Sequence, residues 1–142
     1  MRLALQTDFA LRTLMYLGWR GERATSAEVA GFFDISAAHV AKVVNQLARL
    51  GFLRSIRGIG GGIELARPSD KITVGEVVAA FEGPMHLLDC VATEGVCLIE
   101  SFCKLKAALS EAERIQFEYL NGLKIADVLP TKRQINRISA TA

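Results

Sequence analysis

Three thiols share one short stretch, Asp89 to Cys103, which reads DCVATEGVCLIESFC. Cys90, Cys97 and Cys103 are all the cysteines of the chain, with six residues between the first pair and five between the second. Thiols so placed can hold a metal or cluster, form a disulfide, or pack as small inert hydrophobes. Structural zinc favours CxxC pairs on tight knuckles, and these gaps are too open for that. They suit a loop wrapped around a larger object, and thiolates are the usual ligands of iron–sulfur clusters. Three cysteines leave a [4Fe–4S] cluster one ligand short. The candidates for the fourth are Asp8, His86, Asp89, Glu94, Glu100 or a small molecule, and the chemistry of the residues does not choose among them. For His86 an ordinary loop histidine is the simpler reading, and for Asp8 a helix N-cap.

The elements that would position this stretch follow from periodicity and punctuation. Thr7 and Asp8 can cap a first helix running to about Gly18 or Trp19, with Leu11, Leu14, Met15 and Leu17 at helical spacing. Thr25-Ser26-Ala27-Glu28 is a capping-box pattern opening a short helix to Phe33, with Val29, Ala30 and Phe33 inward. Asp34-Ile35 makes a turn, and Ser36 caps a helix from Ala37 to Leu50 with Val40, Val43, Val44, Leu47 and Leu50 on its apolar side. Gly51 stops it. Phe52–Ile56 and Ile63–Ala66 read as strands joined by a glycine-rich turn. Thr73-Val74-Gly75-Glu76 is a second capping box, and Gly83-Pro84 breaks the helix it opens. After the cysteines, Leu105, Ala108, Leu109, Ala112, Ile115 and Tyr119 mark a long amphipathic helix, 104–121. A short helix over 125–129 stops at Pro130. The pattern divides the chain into 1–83, a winged helix-turn-helix; 84–103, a cysteine loop; 104–130, a dimerisation helix and a short helix; and 131–142, a polar, frayed and flexible tail.

Helix, turn, helix and hairpin in that order describe a mainly α fold with a small β-hairpin, a winged helix-turn-helix. The second helix of such a pair enters the major groove of double-stranded DNA. Its leading residues here are Ser36, Ala37, Ala38, His39 and Lys42, followed by Asn45. Small alanines allow close approach, and His39, Lys42 and Asn45 offer hydrogen bonds to bases or phosphates. The hairpin carries Arg54 and Arg57 beside Gly58, Gly60 and Gly61, bare backbone and cation suited to a phosphate or minor-groove contact. The simpler readings are a tight turn for the glycines and a solvated helix face for His39 and Lys42. The order of the elements tips the balance toward DNA.

Composition agrees with these assignments. With 142 residues, about half of them apolar, the chain has the size of one domain with its own core. A formal charge of +2 does not by itself demand a polyanionic partner. No apolar run approaches a membrane span, and the start has neither the apolar core nor the cleavage site of a signal peptide. A cytoplasmic protein follows, and in a reducing compartment three clustered cysteines read as metal-binding or redox-active. No nucleophile–base pair, phosphate loop or carboxylate pair suggests an enzyme.

Taken together, QTDFALRTLMYL, HVAKVVNQLARLGFL, RGIGGGIELARP, ITVGEVV, the three cysteines and CKLKAAL resemble small winged-helix repressors that carry iron–sulfur clusters. The resemblance runs to about Pro130, and the family includes NsrR, IscR and RirA. It implies a homodimer with a long helix crossing between subunits and the cluster loop near the partner's reader. The match is nearest to the nitric-oxide-sensing members. Where IscR-like members place a ligating histidine, this chain has Lys106. NsrR-like members use an N-terminal aspartate supplied by the partner, and the matching position is Asp8. The resemblance thus implies a [4Fe–4S] cluster on Cys90, Cys97, Cys103 and Asp8 of the partner subunit, with nitric oxide as the signal. The first cysteine gap is longer than in NsrR-like members and shorter than in RirA-like ones. An iron- or cluster-status repressor of the same architecture is the alternative, and a cluster-free thiol regulator is another.

Overall fold

The computed structural model describes residues 2–141, with side chains described for 2–138. Helix α1 (Leu5–Arg20) runs through the core, with Ala10, Leu14 and Leu17 buried. It starts a turn earlier than its sequence suggests. Ala4 takes the N-cap position, and its carbonyl accepts the Thr7 and Asp8 amides. Thr7 and Asp8 therefore lie inside the first turn, not ahead of it. The cap comes from far away: the Glu82 carboxylate accepts the Ala4 amide at 2.7 Å and the hydroxyl of the fully buried Thr7. An orphan helix N-terminus is thereby satisfied by the end of another helix.

Helix α2 (Ser26–Phe33) opens on the expected box: Thr25 accepts the Glu28 amide and Glu28 accepts the Thr25 amide. Asp34, in the left-handed region at φ 52°, turns the chain into α3 (Ala37–Arg49), a conformation aspartate tolerates better than most residues. Val40, Val43, Val44 and Leu47 are buried as expected. Leu50 is not: it follows the last turn and is exposed. Ser36 precedes the helix without a capping hydrogen bond from its side chain.

Strands β1 (Leu53–Ile56) and β2 (Gly62–Leu65) pair antiparallel, with Arg54 opposite Glu64 and Ile56 opposite Gly62. Ile63 also exchanges two backbone hydrogen bonds with Ala24, fastening the hairpin to the segment before α2. This is a winged helix-turn-helix, mainly α.

A 3₁₀ turn (Ser69–Lys71) leads to α4 (Val74–Glu82). Thr73 caps it by accepting the Glu76 amide, but the reciprocal half of the box is not made, because Glu76 pairs with Arg67. Gly83 ends the helix. The cysteine segment follows as one short turn of helix, α5 (Asp89–Ala92), an irregular arch and a 3₁₀ turn (Glu100–Phe102). Helix α6 (Lys104–Gly122) returns along α4. None of its nineteen residues is buried, and the predicted stripe at Leu105, Ile115 and Tyr119 faces out. The short segment after it is a 3₁₀ turn (Ile125–Val128) whose Ile125 is fully buried beside α1.

Where the sequence reading has a frayed tail, the structure has a helix, α7 (Lys132–Thr141), with Ile135 buried. Ala142 lies outside the described residues.

Helices α4 and α6 meet at Gly75. A Cβ there would lie 2.5 Å from Asn121 Oδ1 and 2.6 Å from its backbone nitrogen. The close approach requires a residue with no side chain. Gly75→Ala should therefore cost roughly 1–3 kcal/mol of unfolding free energy in a urea titration, as overpacking does. Gly31 in α2 faces open space, so Gly31→Ala should instead gain roughly 0.5–1 kcal/mol from helix propensity. Equal effects of the two substitutions would show that Gly75 is not a contact point.

Candidate functional site

The polar edge of α3 is presented as a site needs. Ser36, Ala38, His39, Lys42 and Asn45 are all exposed, while the opposite face is core. Steps of four and three carry the line from Ala38 through Lys42 and Asn45 to Arg49, also exposed. Arg49 is not among the sequence-predicted contacts, and its helical register with Asn45 is the signal that puts it on the same line. His39 is not wholly free. Its ring lies 6.1 Å from that of Phe9, so the start of α3 leans on α1.

In the wing, the two predicted arginines differ. Arg54 pairs with its cross-strand neighbour Glu64 at 3.2 Å, and Glu64 also takes Arg23 at 3.1 Å. Arg23 further donates to the Gly60 carbonyl, bracing the tip. Arg57 is exposed and has no ion-pair partner among the described residues. The glycines have a structural cause: Gly58 and Gly60 sit at φ 96° and 73°, and a Cβ on Gly61 would strike the Ile56 carbonyl. The tip needs them whether or not anything binds there.

The thiols are all free; Cys90 and Cys103 are half-buried and Cys97 is exposed. Cys103 is the N-cap of α6, and its Sγ accepts the Lys106 amide at 3.4 Å. The Lys106 side chain donates to Glu100, whose other oxygen accepts the Gly95 amide at 2.7 Å. Lys106 thereby holds the Glu100 carboxyl below the usual carboxylate range, with help from Gly95. Glu100 in turn raises the Lys106 ammonium, to which Glu94 and Cys90 add weaker attractions. At the other end of the segment, Glu113 of α6 accepts the Leu87 amide at 2.7 Å and faces His86 Nδ1 at 3.2 Å. The Leu87 amide is the larger cause that holds the Glu113 carboxyl low.

Among the described residues, no three His, Cys, Asp or Glu side chains converge as a metal site. One chain thus does not bring Cys90, Cys97, Cys103 and Asp8 together. Asp8 sits on α1, paired with Arg12 at 2.9 Å and about two-fifths exposed. His86 and Glu100 are engaged elsewhere, as described. The donor set still suits a cluster by its chemistry: three free thiols lie on one segment, and cysteine sulfur is the usual ligand of iron–sulfur clusters.

The chain has known relatives. A model of the Rrf2 family, described as an iron-dependent transcriptional regulator, matches residues 3–131. The HTH-type transcriptional regulator NsrR of Geobacillus kaustophilus (strain HTA426) is 34% identical over 97% of this chain and 96% of its own length. Among solved structures, CymR of B. subtilis, the global cysteine regulator, superposes with a TM-score of 0.71 at 18% identity, covering 90% of this chain and 95% of that one. IscR of T. potens gives 0.71 at 19% identity, covering 89% and 85%. At these identities the structural matches speak for the fold.

Both depressed carboxyls carry a pH dependence. A glutamate lowered by folding lends stability above its ordinary value of 4.5 and loses it as pH falls through the lower folded value. Acidification from about pH 6 to about pH 3 should therefore weaken the hold on residues 87–100 before the α1–α3 core unfolds. Amide exchange at Leu87 and Gly95, corrected for intrinsic rates, measures this. Protection unchanged at both amides in acid would mean that these carboxylates do not hold the segment.

Proposed function

The chain belongs to the Rrf2 family of transcriptional regulators, and on that footing we propose that it is a dimeric repressor whose operator binding is controlled by an iron–sulfur cluster. In this reading Cys90, Cys97 and Cys103 of one subunit and Asp8 of the partner subunit hold a [4Fe–4S] cluster. The observation that carries it is the placement of three free thiols on the one segment that joins the reader to α6. Among the described residues of one chain no metal site is gathered, and in this reading a carboxylate on a second copy joins the three thiols. Such a cluster, when bound, would supply iron that reacts with nitric oxide.

The chain's own residues supply the rest. Lys42, Asn45 and Arg49 present an exposed polar stripe with the small Ala38 at its head, and Ser36 and His39 flank its start. Arg57 extends the cation line to the wing, with Arg54 shared with Glu64. Asp8 lies one residue from Phe9, whose ring touches His39. A change in what Asp8 binds is thus felt beside the reader helix, and differential affinity of the two states for DNA makes it a switch. The family description, iron-dependent, favours a second reading in which the same site reports iron or cluster status.

Anaerobic purification with native mass spectrometry, followed by nitric oxide titration against operator binding, tests both. A coloured protein bearing one cluster per chain is expected, with DNA released as nitric oxide is added. Release that follows iron starvation and ignores nitric oxide would select the second reading, and a colourless anaerobic protein would sink both. Cys90→Ser, Cys97→Ser and Cys103→Ser should each abolish the cluster. Asp8→Ala should keep it and uncouple nitric oxide from DNA release. Lys42→Ala should reduce the salt dependence of DNA binding by about one counterion; an unaltered slope would remove Lys42 from the phosphate contacts.

A further inference from the structure

The cysteine segment has an internal fastening that no ligand role explains. The pair is Glu100–Lys106, the least exposed ion pair among the described residues, at 16% and 24% exposure. Both oxygens of Glu100 are used, one on Lys106 Nζ and one on the Gly95 amide. The Glu100 amide donates to the Cys97 carbonyl at 3.2 Å, and its carbonyl accepts the Cys103 amide at 3.3 Å. Glu100 is therefore bonded to the backbone on both sides of the arch, at Gly95, Cys97 and Cys103. Lys106 is bonded at two levels: its amide to Cys103 Sγ, its ammonium to Glu100.

We infer that Glu100 and Lys106 form a latch that sets the cysteine segment in place before any cluster is bound. Glu100 closes the arch that carries Cys97. Lys106 clamps that arch to the first turn of α6, where Cys103 sits. The two residues are positioning residues and not ligands. A site whose supporting shell is preset loses less conformational entropy on filling. Arg114 provides the contrast. It also bonds two glutamates, Glu111 and Glu118, but all three side chains are more than half exposed, and the pairs lie along one helix, where they fix nothing outside it.

What the latch is for rests on the cluster reading above. Its existence does not, so the decisive measurement uses the full-length, cluster-free chain under reducing conditions. Glu100→Ala, Lys106→Met, the double variant and Lys106→Arg are compared with wild type by amide exchange. Each single substitution should raise exchange across residues 93–100 roughly fivefold, while exchange in α1 and α3 stays the same. The double variant should be no worse than Glu100→Ala alone, since removing Lys106 then removes a partner already lost. Lys106→Arg should restore most of the protection. Exchange that is unaltered in the single variants, additive in the double one, or raised equally in α1 and α3 would overturn the latch. In a second arm the same chains are incubated with ferrous iron and sulfide, and the variants should assemble cluster several-fold more slowly than wild type. A wild type that takes up no iron would sink the cluster reading and leave the exchange result to decide the latch alone.

Discussion

The contact of α4 with α6 at Gly75 fixes the two helices between which the thiol segment is strung. Helix α6 has no buried residue of its own, so it depends on neighbours for its place. The cysteine segment is strung between the end of α4 at Gly83 and the start of α6 at Cys103. If the two helices move apart, both ends of that segment move. The far end of α4 carries the same constraint to the reader, because Glu82 caps α1 through Ala4 and Thr7. Asp8 is the next residue of α1, and Phe9 after it leans on His39. A short series of packed contacts thus joins the thiol segment to the reader helix with no long loop in between.

Charge is distributed to suit local contact and not long-range attraction. A net charge of +2 gives little field at a distance. The wing's cations are partly spent internally, since Glu64 is shared by Arg23 and Arg54. Lys42, Arg49 and Arg57 keep their charge facing solvent. That arrangement favours a docked geometry in which few cations meet phosphates at defined positions.

The parts that were legible in the sequence are those whose signals are local. The Thr25–Glu28 box and the spacing of Val40, Val43, Val44 and Leu47 place α2 and α3 almost to the residue. The glycine run places the hairpin turn, because backbone conformations at Gly58 and Gly60 are themselves local. What could not be read depends on distant partners. The start of α1 is fixed by Glu82, 78 positions from Ala4. Half of the second capping box is missing because Arg67 takes Glu76. Glu100 and Lys106 are six apart across a helix boundary, a spacing that matches neither helix nor strand period. The thiols were legible as residues, but their spacing in sequence does not say how they lie in space, and among the described residues they do not converge as a metal site.

Helix α6 and the thiol segment share an incompleteness. Leu105, Ala108, Ala112, Ile115 and Tyr119 step by three and four along one side of the helix, the spacing of a coiled-coil seam, and all are exposed. A large exposed apolar stripe is costly in water unless something covers it. The three thiols, on the segment that leads into α6, form no metal site among the described residues of one chain. On the proposed reading one event, pairing with a second copy, covers the stripe and brings the partner's Asp8 to the thiols. Two deficits removed by one association are thermodynamically linked, so whatever strengthens the ligand set strengthens the dimer, and the reverse holds equally. The consequence reaches DNA, since half-site spacing is fixed only while two readers are held in one geometry. Loss of a single carboxylate from the ligand set would then loosen the angle between readers without unfolding either, because the core around Leu14 and Leu47 is complete within each chain.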